Sequence, residues 1–208
     1  MSEISSREGD VLKQVEALGA AADESYRAGR SADMGRFFQL ASEKAHAVAE
    51  PSLRSRALVE LATEFLDTGA TAEAKTTLLD ALSAARTIPE TYVSAQRYDG
   101  LEAKMAQMID ITSYLADLQP LADTRLLALE SERLSRETIG DPSFYLPKLA
   151  EDLALSGEFR LARAVAERVR DGDDQLQAFA ATLKGMTFYL DPVLKKHVEA
   201  ESRAAAQE

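Results

Sequence analysis

Large apolar, small and polar positions recur along this chain at helical spacing, and one spaced set returns as a unit. Leu61-Ala62, Phe65, Gly69, Ala74, Leu78 and Ala81 reappear at the same offsets as Leu149-Ala150, Leu153, Gly157, Ala162, Ala166 and Val169. A weaker copy lies forty residues before the first, as Ala21-Ala22, Ser25, Gly29, Met34, Phe38 and Ala41. A fourth register, Ile109-Asp110, Ser113, Asp117, Ala122, Leu126 and Leu129, falls between the clear pair but lacks the glycine. No run of alternating β-branched residues interrupts the pattern, so the chain reads as all α. Prolines 51, 89, 120, 142 and 192 punctuate it, because proline cannot donate to a continuing helix. Gly29, Gly69 and Gly157 suit the positive φ that often ends a helix.

These stops predict helices over 10–28, 31–49, 52–68, 71–87, 90–118, 120–138, 143–156, 158–170, 173–190 and 191–205, about five antiparallel pairs. The segment from 90 is the longest. Its apolar residues Tyr98, Leu101, Met105, Met108, Ile109, Thr112, Leu115 and Leu118 keep to one stripe, and it forms either a single helix or one broken near Gly100. Asp141 and Asp191 precede proline and are placed to cap helix amides, with the ring at the first helical position. Asp171-Gly-Asp-Asp174 reads as a turn and cap rather than a calcium loop, since the later oxygen ligands and closing Glu are missing.

The recurrence of Ala and Gly has a packing reason. Antiparallel helices approach most closely where small residues meet, and Ala62, Ala74 and Ala81 would supply such crossings. Leu61, Phe65 and Leu78 then face the next hairpin, which must stack on them to remove them from water. The expected fold is an α-solenoid over residues 1–190, with 191–208 as a capping helix and frayed tail.

Composition narrows the function. A formal net charge of -11 disfavours nucleic acid, whose backbone is bound by surplus Lys and Arg, and also disfavours anionic membrane. The absence of Cys excludes a disulfide framework, thiolate metal sites and a cysteine nucleophile. No secretory leader is seen in the first ten residues and no stretch has the length of a membrane span, so a cytoplasmic location is expected.

In order and spacing, Leu61 through Ala81 resembles the tetratricopeptide repeat: a large apolar residue followed by Ala or Gly, an aromatic, a turn glycine, then Ala, a large residue and Ala. Leu149 through Val169 resembles it with smaller side chains. The copies are more widely spaced than the thirty-four residues of that family, the consensus Trp is absent, and HEAT repeats are the alternative within the same architecture. The resemblance implies a concave groove that takes a peptide or helix of another protein. Its groove positions fall on Tyr26, Arg56, Thr63, Lys104, Tyr114 and Glu151. The cluster of Lys, Arg and Asn that would clamp a ligand's C-terminal carboxylate is missing from them, and the mixed apolar and polar groove suits an amphipathic or extended segment with basic residues.

Chemistry has little to stand on. Only His46 and His197 are available for acid–base or metal roles. Glu43-x-x-His46 has the spacing of a carboxylate-bridged di-metal bundle, but its required second copy is absent. No nucleophile elbow or phosphate loop appears, and 29–35 reads as an inter-helix turn. No cofactor or metal is expected. Arg160, Arg163, Arg168 and Arg170 read as helix-surface ion pairing in preference to a phosphate patch. Met105 and Met108 read as core. Phe179 and Thr187-Phe188-Tyr189 are core if the last helix covers them, and a dimer or partner contact if it does not. The leading expectation is a non-catalytic interaction module, whether adaptor, assembly factor or chaperone. The alternatives are a helical-bundle protein that binds a small ligand or acts as an enzyme, and a structural subunit of a homo-oligomer.

Overall fold

A computed structural model describes residues 2–90, 92–93, 98–118, 122–138 and 144–205. Among them the chain is helical apart from one two-residue antiparallel pair, and it divides into two compact units, residues 1–118 and 119–208.

The first unit contains α1 (Ser2–Arg27), α2 (Ser31–His46), α3 (Pro51–Asp67), α4 (Thr71–Arg86), the paired β1 (Tyr92–Val93) and β2 (Tyr98–Asp99), and α5 (Gly100–Leu118). Helices α1 and α2 form one hairpin and α3 and α4 a second, with α3 laid on both α1 and α2. Helix α5 continues the succession by packing on α4 and α3. The second unit contains α6 (Ala122–Glu137), α7 (Leu146–Leu155), α8 (Phe159–Ala166), α9 (Gly172–Leu190) and α10 (Pro192–Ala205). Here α7 is the centre: α6, α8 and α9 all pack against it, and α10 packs on α9.

The recurring pattern has a common structural cause. Gly29, Gly69 and Gly157 adopt φ of 70°, 76° and 82°, a region that side chains disfavour, and each reverses the chain between two helices. The residue after each glycine donates its N–H to the carbonyl four residues before the glycine: Arg30 to Ser25, Ala70 to Phe65 and Glu158 to Leu153, each at 2.8 Å. Those acceptors are the third position of each copy of the pattern. Around them the small residues Ala22, Ala41, Ala62, Ala74, Ala81, Ala150, Ala162 and Ala166 are fully buried.

Capping agrees with the sequence at Asp171, whose carboxylate accepts from the N–H groups of Asp173 and Asp174, and at Asp191, which accepts from Val193 and Leu194. The cap of α3 is one that composition conceals, because Glu50 accepts from Ser52 and Leu53 with both carboxylate oxygens.

Two details differ from expectation. The segment from 90 is broken: α5 begins at Gly100, and Tyr98 belongs to β2 instead of the helical stripe. The fourth register is not followed, since Leu126 is 67% exposed while its neighbours Leu127 and Ala128 are buried. Residues 31–46 form α2, within the helix expected over 31–49. The cap expected of Asp141 lies outside the described residues. No helix among the described residues is long and apolar enough to cross a membrane.

Candidate functional site

An exposed apolar surface among the described residues follows from the way α9 is built. Its inward face is small: Ala178, Thr182 and Gly185 are buried, and a Cβ added at Gly185 would stand 2.6 Å from the Glu151 carbonyl oxygen and 2.8 Å from Ala154 Cβ on α7. Such close approach fixes α9 against α7 and leaves its long side chains on the opposite flank. Leu176, Leu183 and Leu190 are 70%, 63% and 71% exposed. Lys184 ties the helix laterally to Glu151 at 2.6 Å.

Helix α8 supplies the second wall. Ala162, Val165 and Ala166 are its core face, which turns Arg160 and Arg163 outward, and Phe159 at its first position stands edge-on to Tyr189 at 5.3 Å. The Tyr189 ring lies where a Cβ at Gly157 would meet it at 3.0 Å, so the turn glycine serves both backbone and packing. Between α8 and α9 an open cleft of about 430 Å³ is lined by Phe159, Phe179, Leu183 and Met186, with Arg160, Arg163 and Thr182 at its edges. Its walls are almost wholly apolar, since the Thr182 hydroxyl is spent on the Ala178 carbonyl at 2.8 Å. Arg163 pairs with Glu167 at 2.8 Å, whereas Arg160 makes no ion pair among the described residues.

A second cleft of about 380 Å³ lies in the first unit between α2 and α4, and it holds Ser42, His46 and Asp80. The grouping has the residue types of a hydrolytic triad but not its geometry. His46 Nδ1 stands 2.8 Å from the Ser42 carbonyl oxygen, which can only accept, so this nitrogen carries a proton. Nε2 faces the Asp80 carboxylate at 3.2 Å. The Ser42 hydroxyl, 3.4 Å from Nδ1, therefore finds no basic nitrogen to take its proton. His46 instead ties α2 to α4. Glu43, three residues before His46, accepts from Gln39 at 3.0 Å, and among the described residues no three His, Cys, Asp or Glu side chains are grouped to hold a metal.

No family model, curated protein or solved structure matches the chain. The two clefts and their surroundings are thus read from their own chemistry.

Five of the six groove positions belong to the first unit, on helices that pack α1 against α3 and α3 against α5. Tyr26 on α1 is 51% exposed. On α3, Arg56 is exposed and 3.9 Å from Glu60, and the Thr63 hydroxyl donates to the Val59 carbonyl. On α5, Tyr114 is half-buried. Lys104 corrects the expectation: it is buried, and its Nζ donates to Glu90 at 2.7 Å, so its charge is used inside the fold. Glu151, in the second unit, pairs with Lys184. The α1–α3 face is acidic. Burial pushes the Glu64 carboxyl above the usual carboxylate range, with Asp67, Asp23 and Glu60 adding to the rise and Arg27 opposing it.

The basic cluster divides. Arg163 pairs on its own helix, as expected, while Arg168 crosses to α6, donating to the Ser135 carbonyl at 2.7 Å and lying 3.7 Å from Glu132. Burial lowers the Arg168 pKa, opposed by Glu132. Sequence reasoning singled out Phe179 and Tyr189 but missed the stripe that makes the cleft. Its signal was present as Leu176, Phe179, Leu183, Met186 and Leu190, spaced three and four residues apart.

Proposed function

We propose that this protein is a non-catalytic interaction module that docks a helix or peptide of a partner. The observation that carries the reading is the open apolar cleft between α8 and α9, where Phe159, Phe179, Leu183 and Met186 stand in or beside solvent with no nucleophile or buried acid–base pair among them. Its volume is within the range of small-ligand pockets, but those fix their ligands with convergent polar groups, and here Thr182 is already satisfied. A helix with an apolar ridge needs no such anchor, because area and shape supply its affinity. The three glycine turns and the buried small residues support reading the architecture as a tetratricopeptide-like α-solenoid, with a HEAT-like repeat as the variant form. The exposed Tyr26 and Arg56 on the acidic α1–α3 face offer a subsidiary contact for a basic segment.

Affinity capture from native lysate with mass spectrometry tests the proposal, using the unaltered chain, Leu183→Asp and Arg56→Glu as baits. A partner retained by the first and lost with Leu183→Asp supports the cleft. Loss with Arg56→Glu alone moves the contact to the α1–α3 face. Equal recovery with all three baits overturns both surfaces.

A further inference from the structure

The cleft between α2 and α4 lacks a catalytic geometry but has a charge and a spacing of its own. Helices α2 and α4 both pack on α3, and the gap left between them is lined at about 380 Å³, within the range of small-ligand sites. Its charged lining consists of two carboxylates, Glu73 and Asp80, and the imidazole of His46, with no Lys or Arg among the lining residues. The two acids are seven residues apart on α4 and both are exposed. Seven residues are almost two full turns, which sets them on one face of the helix with about 10 Å between them along its axis. Asp80 meets His46 through Oδ2 at 3.2 Å, which leaves its Oδ1 open to a second donor, and Glu73 makes no ion pair among the described residues.

Between the two carboxylates the lining is apolar. Phe65 of α3 lies there, held by its stack on Phe38 with ring centroids 4.3 Å apart. Thr76 and Thr77 give their hydroxyls to the Ala72 and Glu73 carbonyls at 3.0 and 2.9 Å, so what they add to the cleft is apolar. We propose that this cleft binds a linear aliphatic polyamine, with one terminal ammonium on Glu73, the other on Asp80 Oδ1, and the methylene chain laid across Phe65. Charge complementarity selects a cation, in a chain whose net charge is -11. Two carboxylates held apart by an apolar span select two cations joined by one. An extended peptide with basic residues three apart would match the charges, but its N–H and C=O groups would lie against hydroxyls already engaged, whereas a methylene chain has no such groups to satisfy. This site is separate from the α8–α9 cleft and does not depend on how that cleft is read.

The chain's two histidines provide the readout, since His46 lines the cleft and His197 lies on α10 of the other unit. The full chain is titrated at constant pH and ionic strength with spermidine, propylamine, magnesium chloride and a blocked Arg-Gly-Gly-Arg peptide, and the ring Cε1–H signals of both histidines are followed by nuclear magnetic resonance. The expected result is a saturable shift of the His46 signal with spermidine while that of His197 stays in place, and binding of propylamine weaker by at least about tenfold because it engages one carboxylate only. Glu73→Gln and Asp80→Asn should each raise the spermidine dissociation constant about tenfold. Glu73→Gln leaves the His46–Asp80 pair in place and so decides the matter should Asp80→Asn lose helicity by circular dichroism. A His46 signal that spermidine does not move, parallel shifts of both histidines, an equal saturable shift with magnesium, or unchanged affinity in Glu73→Gln overturns the proposal. Tighter binding of the peptide than of spermidine also overturns it and assigns the cleft to a basic peptide segment.

Discussion

Helices α3 and α9 are of similar length, and each lies across a helix of a hairpin, yet they treat their large residues in opposite ways. On α3, Leu58 and Leu61 are essentially fully buried because α1, α2, α4 and α5 surround it. On α9 the small residues are buried and the leucines stay outside. A glycine stands at one contact of each, on the neighbouring α1 for α3 and on α9 itself, but with different neighbours. A Cβ at Gly19 on α1 would meet the flexible Glu64 side chain of α3 at 2.6 Å, whereas one at Gly185 would meet backbone. Small residues decide where helices touch, and large residues are buried only when a further helix arrives to cover them.

The comparison can be broken most forcefully through the buried small positions. Ala62→Leu on α3 and Ala178→Leu on α9 should each destabilise by about 1–3 kcal/mol in urea unfolding, while Leu183→Ala, on the open flank, should stay within about 0.5 kcal/mol under conditions in which the chain is monomeric. Equal costs at Ala178 and Leu183 would mean that the two faces of α9 had been assigned wrongly.

The glycine crossings sharpen it further. Gly185→Ala should cost about 1–2 kcal/mol, since the Glu151 carbonyl cannot move without α7. Gly19→Ala should be within about 0.5 kcal/mol of neutral, because the Glu64 side chain can swing aside and alanine improves helix propensity. A larger loss at Gly19 than at Gly185 would reverse the ranking of the two contacts.

The smallest effect expected is electrostatic. The Glu64 carboxyl is raised in the folded chain by burial and by Asp67, Asp23 and Glu60, so the unfolded chain gives up this proton first as pH rises. Stability therefore falls between the ordinary carboxylate pKa and the raised folded one, and the penalty is complete above both. Glu64→Gln should raise the melting temperature at neutral pH, with the gain disappearing in acid below the ordinary carboxylate range. A gain that persists in acid would assign the effect to packing.

Much of the helical framework is legible in the residues. Gly69 and Gly157 mark their turns because only a residue without Cβ takes that backbone angle easily, and Ala62 and Ala150 mark crossings because nothing larger fits. The break before α5 was legible only as an alternative at Gly100, since Tyr98 shares the helical phase whichever conformation it adopts. The Lys104–Glu90 pair spans fourteen residues of sequence, and no local spacing announces such a pair. The grouping of Ser42 and His46 with Asp80 is hidden in the same way, by thirty-four residues between His46 and its carboxylate.

What the sequence by itself determined is local: helix phase, the glycine turns, the aspartate caps and the small-residue crossings, each set by backbone sterics and hydrogen bonding within a few residues. What only the tertiary structure decided is which apolar stripes are covered. The stripes of α5 and α9 look alike in sequence. Met105 and Met108 are fully buried, however, while Leu176, Leu183 and Leu190 remain in solvent, because burial depends on neighbours that arrive from distant parts of the chain.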